Sequence, residues 1–74
     1  MKIKNLSVLS YAQGFTLWLY RVDDFTEIFL PNYFISGADM FHQGDVIIIH
    51  APNGVAQRYI KSCNNTTVEL GVLI

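Results

Sequence analysis

Two well-separated segments of this chain carry β-strand patterns, the first apolar on both faces and the second alternating hydrophobic and polar positions with a period of two. From Phe15 to Val22 the residues are aromatic, β-branched or leucine, apart from Arg21, types that suit a pleated surface better than a helix. Alternation sorts them into Phe15, Leu17, Leu19 and Arg21 on one face and Thr16, Trp18, Tyr20 and Val22 on the other. Neither face is plainly aqueous, so the strand calls for cover on both sides, and in so short a chain that points to a partner. The second segment, Val55 to Ser62, sets Ala56, Arg58 and Ile60 against Val55, Gln57, Tyr59 and Lys61, a strand with a wetter surface. Before it stands the β-branched run Val46-Ile47-Ile48-Ile49-His50, joined through the turn residues Pro52-Asn53-Gly54. After it Asn64-Asn65 makes a second turn into a strand over Thr67 to Leu73. The last thirty residues therefore read as a β-meander.

The connection between these halves is less regular. Asp23-Asp24 interrupts the first strand, and a short strand is predicted around Glu27 to Leu30, with Leu30 extended because the residue before Pro31 is pushed away from helical angles. Ser36 lies three residues before Asp39, a spacing like that of a capping box, and Gly44 stands where a helix would end. The spacing predicts a helix of about one and a half turns over residues 37–42. Residues 1–13 mix polar and apolar types without helical periodicity and read as an extended arm, stable only when laid against its own domain's edge strand or a neighbouring subunit. The predicted fold is mainly β: a small antiparallel β sandwich or open barrel over residues 14–74, with one short helix and an extended N-terminal arm.

Size sharpens the need for a partner. A domain of 74 residues buries only about 60% of the surface its unfolded chain exposes, and a core of that size rarely supplies more than about 3–5 kcal/mol. Cys63 is the only cysteine, so no disulfide can form within the chain. With 51% hydrophobic residues against 15% charged, the chain carries more apolar surface than it can hide alone, which leaves oligomerisation or docking as the staple. Five basic and six acidic residues nearly balance, and Lys2, Lys4, Arg21, Arg58 and Lys61 are scattered. A nucleic-acid binder neutralises several phosphates with clustered cations, so this distribution argues against that role. No apolar run reaches the roughly 20 residues of a membrane span. Polar Asn5, Ser7 and Ser10 break the stretch after Met1-Lys2-Ile3-Lys4, which reads as a soluble chain without a targeting signal.

Candidate chemistry is sparse. Asp39, His42 and Asp45 recur at intervals of three, with His50 beyond, and could be assembled into a metal site. The simpler reading has Asp39 capping a turn, His42 near that turn's C-terminus and Asp45 opening the next strand. Cys63 and His50 could form a nucleophile and base, but no orienting group or oxyanion loop accompanies them. Asp23, Asp24 and Glu27 fall short of the ligand count of a calcium loop. No cofactor or catalytic motif is present, and the chain reads as a non-enzyme. Trp18, Tyr20, Tyr33 and Phe34 could stack on bases or sugars, yet without basic neighbours they read as core or protein interface.

The order Gly14-Phe15-Thr16-Leu17-Trp18-x-Tyr20, then Tyr33-Phe34, Ala38-Asp39-Met40 and Gly44-Asp45-Val46-Ile47, then a hairpin and a closing valine-containing strand, resembles a group of small proteins of tailed phages and prophages. The resemblance covers roughly residues 14–74 and implies a virion structural role, on the head as a decoration, cement or head-fibre component. This chain departs from the group in carrying Asn32 where a glycine precedes the Tyr-Phe pair, a residue that also tolerates positive φ. It departs again in the bulky Phe25 and Ile28-Phe29-Leu30-Pro31. Physical reading and resemblance together predict a homo-oligomer, with a trimer favoured, in the virion, bound to the major capsid protein or another virion protein. Candidate interface residues are Leu6, Val8, Leu9 and Tyr11 in the arm, with Trp18, Tyr20, Phe29, Tyr33 and Phe34. On this reading the arm is an attachment element whose deletion leaves a folded core. A small β-barrel module binding nucleic acid or a host regulator inside the cell is the alternative.

Overall fold

A computed structural model describes residues 1–30 and 32–72. The chain is mainly β. Its elements are β1 (Leu6–Ala12), β2 (Phe15–Arg21), β3 (Val46–Ala51), β4 (Gly54–Cys63) and β5 (Val68–Val72), with 3-10 turns at Ile3–Asn5, Phe25–Phe29 and Ile35–Gly37. The five strands form one open sheet in the order β1-β2-β3-β4-β5. The predicted end of the last strand at Leu73 lies outside the described residues.

One pairing departs from the antiparallel expectation: β2 and β3 run parallel, with Trp18 beside Ile47 and Tyr20 beside Ile49. Parallel neighbours need a crossover of a dozen or more residues, and residues 22–45 supply it. Among its described residues the crossover holds no α-helix, only turns. The short strand expected near residues 27–30 is instead the 3-10 turn Phe25–Phe29, because Asp24 caps it: its Oδ1 accepts from the Thr26 N–H at 3.0 Å. Asn53 Nδ2 also donates to that oxygen at 3.0 Å and ties the turn to the β3–β4 hairpin. These hydrogen bonds, from Asn53 first and then Thr26, hold the Asp24 carboxyl below the usual carboxylate range. Leu30 is extended, with ψ 139°, as expected before a proline. The helix expected over residues 37–42 is reduced to the 3-10 turn Ile35–Gly37 and single turns beyond it. Ser36 does not cap it; its hydroxyl donates to the Met1 carbonyl at 3.4 Å.

Two backbone positions anticipated from residue type appear as such. Asn32 has φ 54°, the only positive φ among the described non-glycine residues. Its carbonyl accepts from Ile35 N and its side chain from Val68 N. Gly44 has φ 93° at the end of the crossover, where a side chain would be strained.

The core lies on one face of the sheet. Trp18, Tyr20 and Val22 from β2 and its end, Ile47, Ile49 and Ala51 from β3, Ile60 from β4 and Val68 from β5 meet Ile28, Phe34 and Phe41 from the crossover. Aromatic rings bind the two layers edge to face: Trp18 on Phe41 at 5.3 Å, Phe41 on Phe34 at 6.1 Å, and Phe34 on Tyr20 at 5.3 Å. Each such pair adds about 0.5–1.5 kcal/mol beyond its buried area. The crossover thus substitutes aromatic side chains for the apolar stripe of a helix.

Gly37 is a close-packed point in this layer. A Cβ there would lie 2.7 Å from the Phe41 ring and 2.8 Å from the Met1 methyl. Gly37→Ala is expected to cost about 1–3 kcal/mol by overpacking, read as a lower urea midpoint; an unchanged midpoint would mean that Phe41 does not fill that space.

Residues 6–12 of the predicted arm are β1, laid against β2 from Leu6 opposite Tyr20 to Ala12 opposite Phe15, with a bulge between Val8 and Ser10. The Cα radius of gyration of 11.2 Å matches the ~11 Å of a compact chain of this length, so no segment projects far from the body.

Candidate functional site

Asp45 is the most constrained polar group of the chain. It is 1% exposed, and its carboxylate accepts three N–H groups at 3.0 Å: Thr16 backbone N on Oδ1, and Trp18 Nε1 and His42 backbone N on Oδ2. Its own backbone accepts from Ile60 N at 2.7 Å. Asp45 therefore pins the start of β2, the end of the crossover and β4 to one point. The imidazole of His42 is exposed, with Nδ1 3.8 Å from Oδ2, too long for a hydrogen bond. With its oxygens engaged by backbone and indole donors, this carboxylate is a structural clamp. Among the described residues no three His, Cys, Asp or Glu side chains come together as metal ligands.

The Cys63 and His50 pairing does not form. His50 is exposed on β3, between the inward Ile49 and Ala51. The Cys63 thiol, on β4, packs against the core and donates to the Ala38 carbonyl at 3.1 Å. Burial, reinforced by Asp45 and Asp39, pushes its pKa up, which disfavours the thiolate a nucleophile needs. Tyr20 and Tyr33 share a hydroxyl–hydroxyl bond at 3.1 Å, and Lys2 N donates to the Tyr20 oxygen at 2.9 Å. Burial raises the Tyr33 pKa, helped by the bond to Tyr20. This pair is a hydrogen-bonded joint between β2 and the crossover, with Glu27 and Asp23 beside it; their charge adds to the rise in the Tyr33 pKa and disfavours the phenolate.

The candidate interface residues divide. Trp18, Tyr20 and Phe34 are 8%, 1% and 1% exposed: they are core residues of the single chain and are withdrawn as contacts, because their area is already spent within it. Leu6 and Tyr33 are half-buried against the same core. Val8, Leu9, Tyr11 and Phe29 are 55%, 50%, 77% and 61% exposed. The first three stand together on edge strand β1. Phe29 lies apart, on a cleft of about 500 Å3 between its turn and strands β4 and β5, whose charged lining residues among those described are Arg58 and Glu69.

Sequence reasoning missed a second apolar surface. Leu17, Leu19, Val46, Ile48 and Tyr59 lie on the face of the sheet opposite the core and are half-buried, yet none belongs to the core or packs against it. The signal was the strand apolar on both faces, but which face went uncovered depended on the crossover.

Comparison of the chain with models of known protein families, with curated proteins and with solved structures finds no significant match.

Proposed function

We propose that this chain is a phage virion structural protein, a capsid decoration, cement or head-fibre component that acts through protein–protein contacts. The observation that carries the reading is β1: an edge strand whose outer hydrogen-bonding side has no partner strand among the described residues and which exposes Val8, Leu9 and Tyr11. Edge strands of stable monomers are blunted by charge, proline or cover. β1 has a bulge but no charged residue over Leu6–Ala12. Such an edge suits strand addition by another protein, with backbone hydrogen bonds for affinity and alternate side chains for specificity. The resemblance of residues 14–74 to small phage proteins supports the same role.

The test is co-sedimentation of purified protein with empty heads assembled from the encoding phage's major capsid protein. The native chain is expected to pellet with heads, and the double variant Val8→Ser, Tyr11→Ser, folded by circular dichroism, to stay in the supernatant. Equal sedimentation of the two, or no binding by the native chain, would remove the proposal. Binding to a nucleic acid in place of heads, collapsing steeply with added salt, would favour a nucleic-acid module.

A further inference from the structure

We infer that the outer face of the sheet is a self-association surface, which a second copy of this chain covers face to face. The inference stands independently of the virion role, because it rests on the sheet alone.

Strand register lays the surface out. One row runs across all five strands as Ser10, Leu17, Val46, Tyr59 and Gly71. The next holds Ser7, Leu19, Ile48 and Gln57. Neither row contains a charge. Crossover residues Ile28, Phe34 and Phe41 are all committed to the other face, so among the described residues this one has no cover. A sheet is stable when both apolar faces are buried against another layer, and here one layer is missing.

Tyr59 and Gly71 shape the surface. A Cβ on Gly71 would lie 2.2 Å from the Tyr59 ring, so the ring lies over the glycine, fills its gap and levels the β4–β5 end of the row. A levelled apolar surface is what sheet-on-sheet packing requires, with side chains of the two inner faces interdigitating across about 10 Å.

The area distinguishes a second copy from a smaller ligand. Seven residues of β2 extend about 23 Å and five strands span about 24 Å, roughly 550 Å2 per copy for the whole face, with the two uncharged rows at its centre and the row of Arg21, His50 and Val55 at its rim. Two copies together bury about 1,100 Å2, just above the ~1,000 Å2 of a specific interface. The chain's net charge of −1 opposes pairing very little. Two identical faces meeting about a two-fold axis give a closed dimer, in place of the trimer favoured by the sequence reading.

Light scattering and sedimentation velocity over a concentration range test this. The native chain is expected to reach the mass of a dimer. Ile48→Lys puts two like charges into the joint face and should weaken association at least about hundredfold, with an unchanged far-UV spectrum. Gln57→Lys, at an exposed polar position beside Ile48, should weaken it similarly, and it decides the matter if Ile48→Lys fails to fold. A native chain that stays monomeric or forms a trimer would overturn the inference, as would folded variants that associate like the native chain.

Discussion

Asp45→Ala is expected to leave most of the chain unfolded at 25 °C. The substitution strands two buried N–H donors, those of Thr16 and Trp18, and the part-buried one of His42. Each unsatisfied buried donor costs about 1–3 kcal/mol, so the two buried ones alone lose roughly 2–6 kcal/mol, comparable to the ~3–5 kcal/mol that a core of this size supplies. Asp45→Asn is the graded case. Its amide oxygen can still accept from Trp18 and His42, but its NH2 then faces the Thr16 N–H donor, and a loss of about 1–3 kcal/mol follows. Urea titration followed by circular dichroism orders the variants native, Asn, Ala. The indole bond can be isolated by a double-mutant cycle with Trp18→Phe, where contacting residues couple by about 0.5–3 kcal/mol. A native urea midpoint for Asp45→Ala would show that the carboxylate is not the clamp described.

Deleting residues 1–13 is the second large effect. Read as an arm, the segment could be removed without harm to the body; as β1, it cannot. Its residues 6–12 pair with β2, Leu6 packs against the core, and Lys2 N donates to the Tyr20 hydroxyl. Without it β2 becomes an edge strand that is apolar on both faces, with Trp18 and Tyr20 on one and Leu17 and Leu19 on the other. Long, exposed apolar edges of that kind aggregate. Residues 14–74 alone are therefore expected to be insoluble, or to lack a cooperative unfolding transition. A soluble fragment with a cooperative urea transition would restore the arm reading. For this reason the proposed capsid attachment is better probed by side-chain changes on β1 than by truncation.

Legibility followed the range of the forces involved. The strands β2, β3 and β4, the turn at Asn53-Gly54 and the extended Leu30 came from residue type and spacing, since alternation, β-branching, glycine and the residue before proline act within a few positions. Asn32 was readable for the same reason: few side chains accept its φ of 54°. The 3-10 turn Phe25–Phe29 was misread as a strand because its cap, Asp24, is reinforced by Asn53 from the β3–β4 hairpin. Among the candidate contact residues, exposure was not legible: Val8, Leu9 and Tyr11 lie open to solvent, while Trp18, Tyr20 and Phe34 carry the same apolar character and turn inward.

By itself, then, the sequence determined that this protein is mainly β, where most strands and turns fall, and that its apolar content exceeds what so short a chain readily buries. Only the tertiary structure decided that β2 pairs in parallel with β3, that Asp45 joins three segments, and that the aromatic crossover covers one face of the sheet and leaves Leu17, Leu19, Val46, Ile48 and Tyr59 on the other. Strand propensity is set by each residue and its neighbours. Strand partner, direction and covered face are set by contacts between residues far apart in the chain, where many arrangements satisfy the same local pattern and only the packing of the whole selects one.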